Sequence, residues 1–168
     1  MPDLSEFTTF VSEKSGVKKG KLIEQDILVH RILKELYSHP HSRGNYLFKG
    51  GSCLVKCYFG YYRFSIDLDF TWKNQDFWKV GEKELRRKLL EEIKAFGQLL
   101  EDISNQVDLE FVNDPKNRRC FEFGGGGRMA TLKLWKGQEL LKIQVNFLEE
   151  LLFPSKSIAV KTLLDGVA

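Results

Sequence analysis

Apolar and polar positions along this chain repeat with two distinct periods. Between Gly20 and Ser38, Leu22, Ile23, Ile27, Leu28, Ile32, Leu33 and Leu36 recur every three or four positions, the repeat of a helix buried along one face. The same spacing returns over 82–103 with Leu85, Leu89, Ile93, Phe96, Leu100 and Ile103. There the EKELRRKLLEEIK run reads as a solvated outer face laced with intrahelical ion pairs, not as a binding patch. Between these helices the period drops to two. From Phe64 to Trp72, Phe64, Ile66, Leu68, Phe70 and Trp72 take one side of a strand, while Ser65, Asp67, Asp69 and Thr71 take the other.

Shorter signals fill in the order. His39-Pro40-His41-Ser42-Arg43-Gly44 is a turn-rich break after the first helix. Tyr46-Leu47-Phe48 reads as a short buried strand that stops at Gly50-Gly51, after which Ser52 caps a helix from Cys53 to Phe59 and Gly60 ends it. Val107 to Val112 alternates again and predicts a strand. Cys120–Phe123, Met129–Trp135 and Leu140–Phe147 predict three more, joined by glycine-rich turns at 124–127 and around Gly137. The order helix, strand, helix, strand, helix and then several strands predicts an α+β (α/β two-layer) domain: a mixed β-sheet with helices packed on it.

Composition narrows the class. The 168 residues suit a single domain, and 13 Phe imply a well-filled core. Charge is dense but balanced, 26 basic against 23 acidic residues, so net charge alone gives no nucleic-acid footprint. No apolar run approaches the roughly 20 residues of a membrane span, and no signal peptide is visible, so no membrane role is expected. The three cysteines, Cys53, Cys57 and Cys120, form no disulfide framework and point to reduced thiols in the cytosol. Cys53 and Cys57 read as small buried residues rather than metal ligands, there being no His or acidic partner nearby in sequence.

The chemistry gathers between residues 49 and 69. Two glycines between a strand and a helix let the backbone approach a ligand, and the free N–H groups of the helix's first turn favour an anion such as phosphate. Gly50, Gly51 and Ser52 are therefore phosphate-binding candidates, although Gly-Gly-Ser alone is also an ordinary turn. Asp67 and Asp69 change the balance. Alternation sets both carboxylates on one strand face, where their mutual repulsion calls for a cation. Mg²⁺ (or Mn²⁺), held by both and completed by water and phosphate oxygens, suits that need. Gly124 to Gly127 lacks the lysine and hydroxyl of a P-loop and reads as a hairpin connection. Arg118, Arg119, Arg128, Lys133, Lys136 and Lys142 make either a basic rim for triphosphate or RNA, or ordinary solvated strand faces. Lys133 and Lys142 are the rim's phosphate-binding candidates, since alternation can turn Lys133 toward the aspartates. Trp72, Trp78 and Trp135 read as packing residues, and His39 and His41 as exposed loop residues.

Lys49-Gly50-Gly51-Ser52, Arg63-Phe64-Ser65 and Asp67-Leu68-Asp69 keep the order and spacing of the nucleotidyl transferase AbiEii/AbiGii toxin family, which this chain resembles over most of residues 20–155. Glu24-Gln25-Asp26 resembles the start of the family's first helix, and Lys142 to Phe147 its late strand. The resemblance implies a polymerase-beta-type nucleotidyltransferase fold. It also implies transfer of a nucleotide from an NTP, with Mg²⁺, to a hydroxyl on an RNA (tRNA) or protein acceptor, and an antitoxin partner. It assigns Asp67 and Asp69 to the metal and catalysis, Gly51 and Ser52 to the triphosphate, and Arg63 to the phosphates or the local fold.

Three departures stand out. Ile66 replaces an acidic residue. Gln144 stands where the late strand often supplies a third carboxylate, and a glutamine cannot accept a proton. Asp108 or Glu110 would substitute if the Val107–Val112 strand lay alongside. The chain also stops at Ala168, so a domain lacking the family's C-terminal helical part is expected. The competing readings are a nucleotide- or RNA-binding domain of the same fold without catalysis, and an interaction module of a toxin–antitoxin pair.

Overall fold

The computed structural model describes residues 3–166; Met1, Pro2, Val167 and Ala168 lie outside it. Five strands form one mixed sheet in the order β1-β2-β5-β4-β3: β1 (Tyr46–Lys49), β2 (Leu68–Trp72), β3 (Phe121–Gly124), β4 (Met129–Lys136) and β5 (Glu139–Asn146). β2 and β5 run parallel and every other pair antiparallel. The expected α+β fold is therefore observed.

The strands' period of two divides the sheet's faces. Leu68, Phe70, Trp72, Ala130, Leu132, Leu134, Leu141, Ile143 and Val145 are buried together. Helices α2 (Gly20–Ser38) and α5 (Glu82–Gln106) pack against each other and belong to the same core. Each of Leu85, Leu89, Ile93, Phe96, Leu100 and Ile103 is buried on α5, as its spacing predicts. Of the apolar positions expected on α2, all but Leu22 are buried. Trp72 and Trp78 sit in the core, edge to face with 5.2 Å between ring centroids.

The first helix, α1 (Leu4–Ser15), has no counterpart in the sequence reading. Its threonines and serines are weak helix formers, and only Val11 is buried. It is held by docking on α2, where Val11 joins Ile23, Ile27 and Leu163 in a second small core. The expected break at 39–44 is instead a short helix, α3 (Pro40–Asn45), with Pro40 in its first turn, where a missing N–H costs nothing.

Three further expectations are corrected. β1 is an edge strand in which only Tyr46 is buried, since β2 covers just one of its sides. The strand expected from Phe64 starts at Leu68. β1 ends at Lys49, opposite Asp69, so residues 64–67 have no β1 partner, and the Ser52 hydroxyl engages the carbonyls of Ser65 and Asp67 instead. Val107–Val112 forms no strand. The chain leaves α5 through Asp108 in the left-handed region (φ 57°) and pairs only at Glu110 with Trp135. Val107, Leu109 and Phe111 are buried, so the alternation reported burial without a ladder.

Helix α4 (Gly50–Cys53) continues into a wider π-helical turn (Leu54–Phe59) that ends at Gly60, φ 75°. Lys49, not Ser52, holds the N-cap position. This helical segment is anchored from below by Lys56, which is buried and bonds Asp26 of α2 at 2.8 Å and the Tyr61 hydroxyl at 2.6 Å. Tyr61 in turn donates to Asp26, and the Lys161 N–H bonds the Lys56 carbonyl. Among the described residues no helix is long and apolar enough to cross a membrane.

Candidate functional site

The second face of the sheet carries polar side chains arranged by register. Lys49 of β1 pairs with Asp69 of β2, Asp69 with Gln144 of β5, Gln144 with Thr131 of β4, and Thr131 with Glu122 of β3. These five residues therefore form one row across the sheet. The neighbouring row on the same face includes Thr71, Asn146 and Met129. One residue's shift in any strand would turn its members into the core, so the buried face locks the polar row in place.

Asp69 and the glycine turn meet directly. Gly50 has φ 77°, and a side chain there would collide with the Asp69 carboxylate. The left-handed backbone and the close approach both require glycine. Gly51 is constrained less, since its backbone is ordinary: a Cβ would lie 2.5 Å from Nη2 of Arg63, the mobile end of a long side chain, and 3.3 Å from Oγ of Ser65. The Arg63 guanidinium thus lies across the first helical turn, with the Tyr62 ring 5.8 Å away. The N–H groups of that turn have no intrahelical carbonyl to bond. Ser52 is buried, and its hydroxyl is engaged by Ser65 and by the Asp67 carbonyl, which fixes the approach to β2.

Asp67 is exposed and Asp69 half-buried. Burial, then the charge of Asp67, pushes the Asp69 carboxyl above its ordinary value of 3.8, with Lys49 acting the other way. A carboxylate raised by burial and a like charge is one that a cation would relieve. The two carboxylates and nearby hydroxyl and amide groups are oxygen donors fit for Mg²⁺ or Mn²⁺. Among the described residues no three His, Cys, Asp or Glu side chains converge on one point, so water and phosphate oxygens would complete such a shell. Cys53 and Cys57 are neighbours on the helical segment, and burial drives the Cys53 thiol up to about 12.

Lys133 and Lys142 are directly opposed on β4 and β5, one step along the sheet from the Gln144–Thr131 row and on the same face. Lys133 pairs with Glu122 at 2.9 Å; Lys142 is exposed and forms no ion pair among the described residues. Three of the other expected rim residues are engaged by other partners. Arg119 stacks on Trp135 at 4.4 Å and pairs with Glu110, Arg128 reaches Glu82, and Lys136 pairs with Glu24.

Gln144 stands beside Asp69, where the third carboxylate was expected. Neither Asp108 nor Glu110 takes its place. Glu110 bonds Trp135, four residues along β4 from Thr131, roughly 13 Å at strand spacing, and β4 itself lies two strands from Asp69.

Glu149 escaped the sequence reading. It follows β5, reaches back over the polar face, and bonds the Lys49 ammonium at 2.5 Å. The Thr71 and Asn146 side chains lie beside its carboxylate. Burial pushes the Glu149 carboxyl up, but Lys49 and these neighbours outweigh it and hold the group below its usual range. No local motif marks a residue that meets its partner 100 positions away.

A family model described as nucleotidyl transferase AbiEii toxin, type IV toxin–antitoxin system, matches residues 31–168, which include the glycine turn, both aspartates and β5. No curated protein and no solved structure matches the chain. With the mixed sheet and the close seating of Gly50 on Asp69, the match over most of its length means that this chain belongs to the AbiEii nucleotidyl transferase toxin family of type IV toxin–antitoxin systems.

Proposed function

We propose that the chain is a metal-dependent nucleotidyltransferase that moves a nucleotide from an NTP to a hydroxyl on an RNA or protein acceptor. The observation carrying this reading is the packing of Gly50 against the Asp69 carboxylate, which brings the glycine turn and one of the two candidate metal-binding carboxylates together. Asp67 and Asp69 would hold Mg²⁺ or Mn²⁺. Bound there, the ion supplies Lewis-acid polarisation of the phosphate and acidifies the attacking hydroxyl. The backbone N–H groups at Gly50, Gly51 and Ser52 and the Arg63 guanidinium bind the triphosphate. Ser52 keeps Asp67 in register through its hydroxyl. Gln144 orients the acceptor hydroxyl by hydrogen bonding without taking its proton, which leaves to solvent. Lys142 and Lys133 line the approach for an anionic acceptor. The acceptor oxygen forms a bond to the α-phosphorus as the bond to pyrophosphate breaks. An antitoxin is the partner that family membership supports.

Transfer of label from each α-labelled NTP to cellular RNA and protein tests this reading. Asp67→Asn and Asp69→Asn should bring transfer to background, and full activity in either variant would refute the assignment.

Gln144 beside Asp69 favours one second reading, a domain that binds nucleotide without transferring it. On the leading reading Gln144→Glu raises the transfer rate, by up to about 100-fold for an added general base. On the second, wild type binds NTP and labels nothing with either Mg²⁺ or Mn²⁺.

A further inference from the structure

Lys49 is the nearest threat to a cation site at Asp69. The two residues are directly opposed across antiparallel strands, which sets their Cβ atoms about 5 Å apart on one face. An ammonium at that distance would pair with the carboxylate and occupy the position that a metal needs. Instead Lys49 bonds Glu149 at 2.5 Å. No hydrogen bond or ion pair joins it to Asp69 among the described residues.

The arrangement that keeps Glu149 in place is extensive. Its N–H donates to Oε1 of Gln75 at 3.0 Å. The Gln75 amide donates to the carbonyls of Trp72 and Phe147, at 2.8 and 2.9 Å, and so ties the ends of β2 and β5 together. Thr71 and Asn146 flank the carboxylate, and the Thr71 hydroxyl donates to the Asn146 carbonyl at 3.2 Å. These contacts bring a carboxylate from beyond β5 to Lys49, which faces Asp69 across the β1–β2 pair.

We infer that Glu149 is a positioning residue that holds Lys49 away from Asp69 and so keeps the Asp67–Asp69 pair open to a divalent cation. The inference rests on the metal-dependent reading above. Its mechanism is competition: Lys49 has two carboxylates within reach, and Glu149 captures it because Thr71, Asn146 and the Gln75 anchor preorganise that site. Without the Glu149 charge, Lys49 turns to Asp69 and cation affinity falls, although neither Asp67 nor Asp69 has changed.

Calorimetric titration of Mn²⁺ into the full chain tests this, using wild type, D69N, E149Q, K49M and K49M/E149Q, each shown to be folded by circular dichroism. E149Q should weaken Mn²⁺ binding on the order of 5-fold, the effect of one partly exposed charge pair. K49M should bind at least as tightly as wild type, and K49M/E149Q should match K49M, because no ammonium is left to collapse onto Asp69. Unchanged binding in E149Q overturns the proposal. So does a double variant as weak as E149Q, which would make Glu149 itself a ligand or a purely structural residue. D69N separates the proposal from the reading beneath it: if wild type binds no Mn²⁺, or binds it as well without Asp69, the metal site itself is refuted. A metal-free arm then still decides the positioning claim. The Lys49–Asp69 coupling, measured by double-mutant cycle in denaturant, should be weak in wild type and larger in the E149Q background. Equal coupling in both backgrounds overturns it.

Discussion

Asp69 shows at the scale of one residue how a site can oppose the stability of the fold that carries it. Its carboxyl is raised above 3.8 by burial and by Asp67, so between that value and its folded value the native chain binds more protons than the unfolded one. The stabilisation from this proton is present at low pH and disappears as pH rises through the folded value. Asp69→Asn should therefore raise the melting temperature of the metal-free protein at neutral pH while abolishing transfer. The gain should shrink as pH falls toward 4, and a melting temperature that falls at neutral pH would contradict the assigned cause. Glu149 behaves in the opposite sense. Its depressed carboxyl contributes stability above the usual glutamate range, which is lost as pH falls through the folded value.

At the scale of elements, the segment running from α4 into the π-helical turn depends on a buried charge. Lys56 is 1% exposed, and its ammonium is satisfied by Asp26 and Tyr61. Removing one member of such a pair leaves the other charge buried without its counter-charge, at about 3–5 kcal/mol. Lys56→Ala should cost that much in a denaturant melt. It should also loosen the glycine turn at the segment's other end, so triphosphate binding weakens more than the lost stability alone explains. Asp26→Asn/Lys56→Met, which removes both charges together, should recover much of the loss. If Lys56→Ala costs under about 1 kcal/mol, the anchor carries little of the load.

At the scale of the molecule, one sheet separates two tasks. The face under α2 and α5 holds the aromatic and aliphatic core, and the opposite face carries a row of polar groups at fixed spacing. A half-buried carboxylate beside a second, exposed one makes the protein responsive to what binds there. A Mg²⁺–NTP complex at about 100 times its dissociation constant should stabilise the fold by ~2.7 kcal/mol, and a denaturant melt with and without ligand reads this directly. The same ligand should leave Asp69→Asn unchanged; equal stabilisation of both proteins would place the nucleotide elsewhere.

Local order alone determined much of this protein. The spacing of Leu85 to Ile103 set α5 residue by residue, because a helix reports its buried face every three or four positions. Asp69 was legible on the polar side of its strand, and Gly50-Gly51 as the break after β1, since period two and glycine's backbone freedom are local properties. Tertiary structure decided the rest. Whether alternation became a ladder depended on a neighbouring strand being present, so Leu68–Trp72 paired while 64–67 and 107–112 did not. Helix α1 exists because α2 offers an apolar face to dock on, which no propensity in its Thr- and Ser-rich sequence announces. Gln144 came to lie beside Asp69, and Glu149 to hold Lys49, only through strand order and register. Those follow from burying one face of the whole sheet at once, and no stretch of sequence encodes them alone.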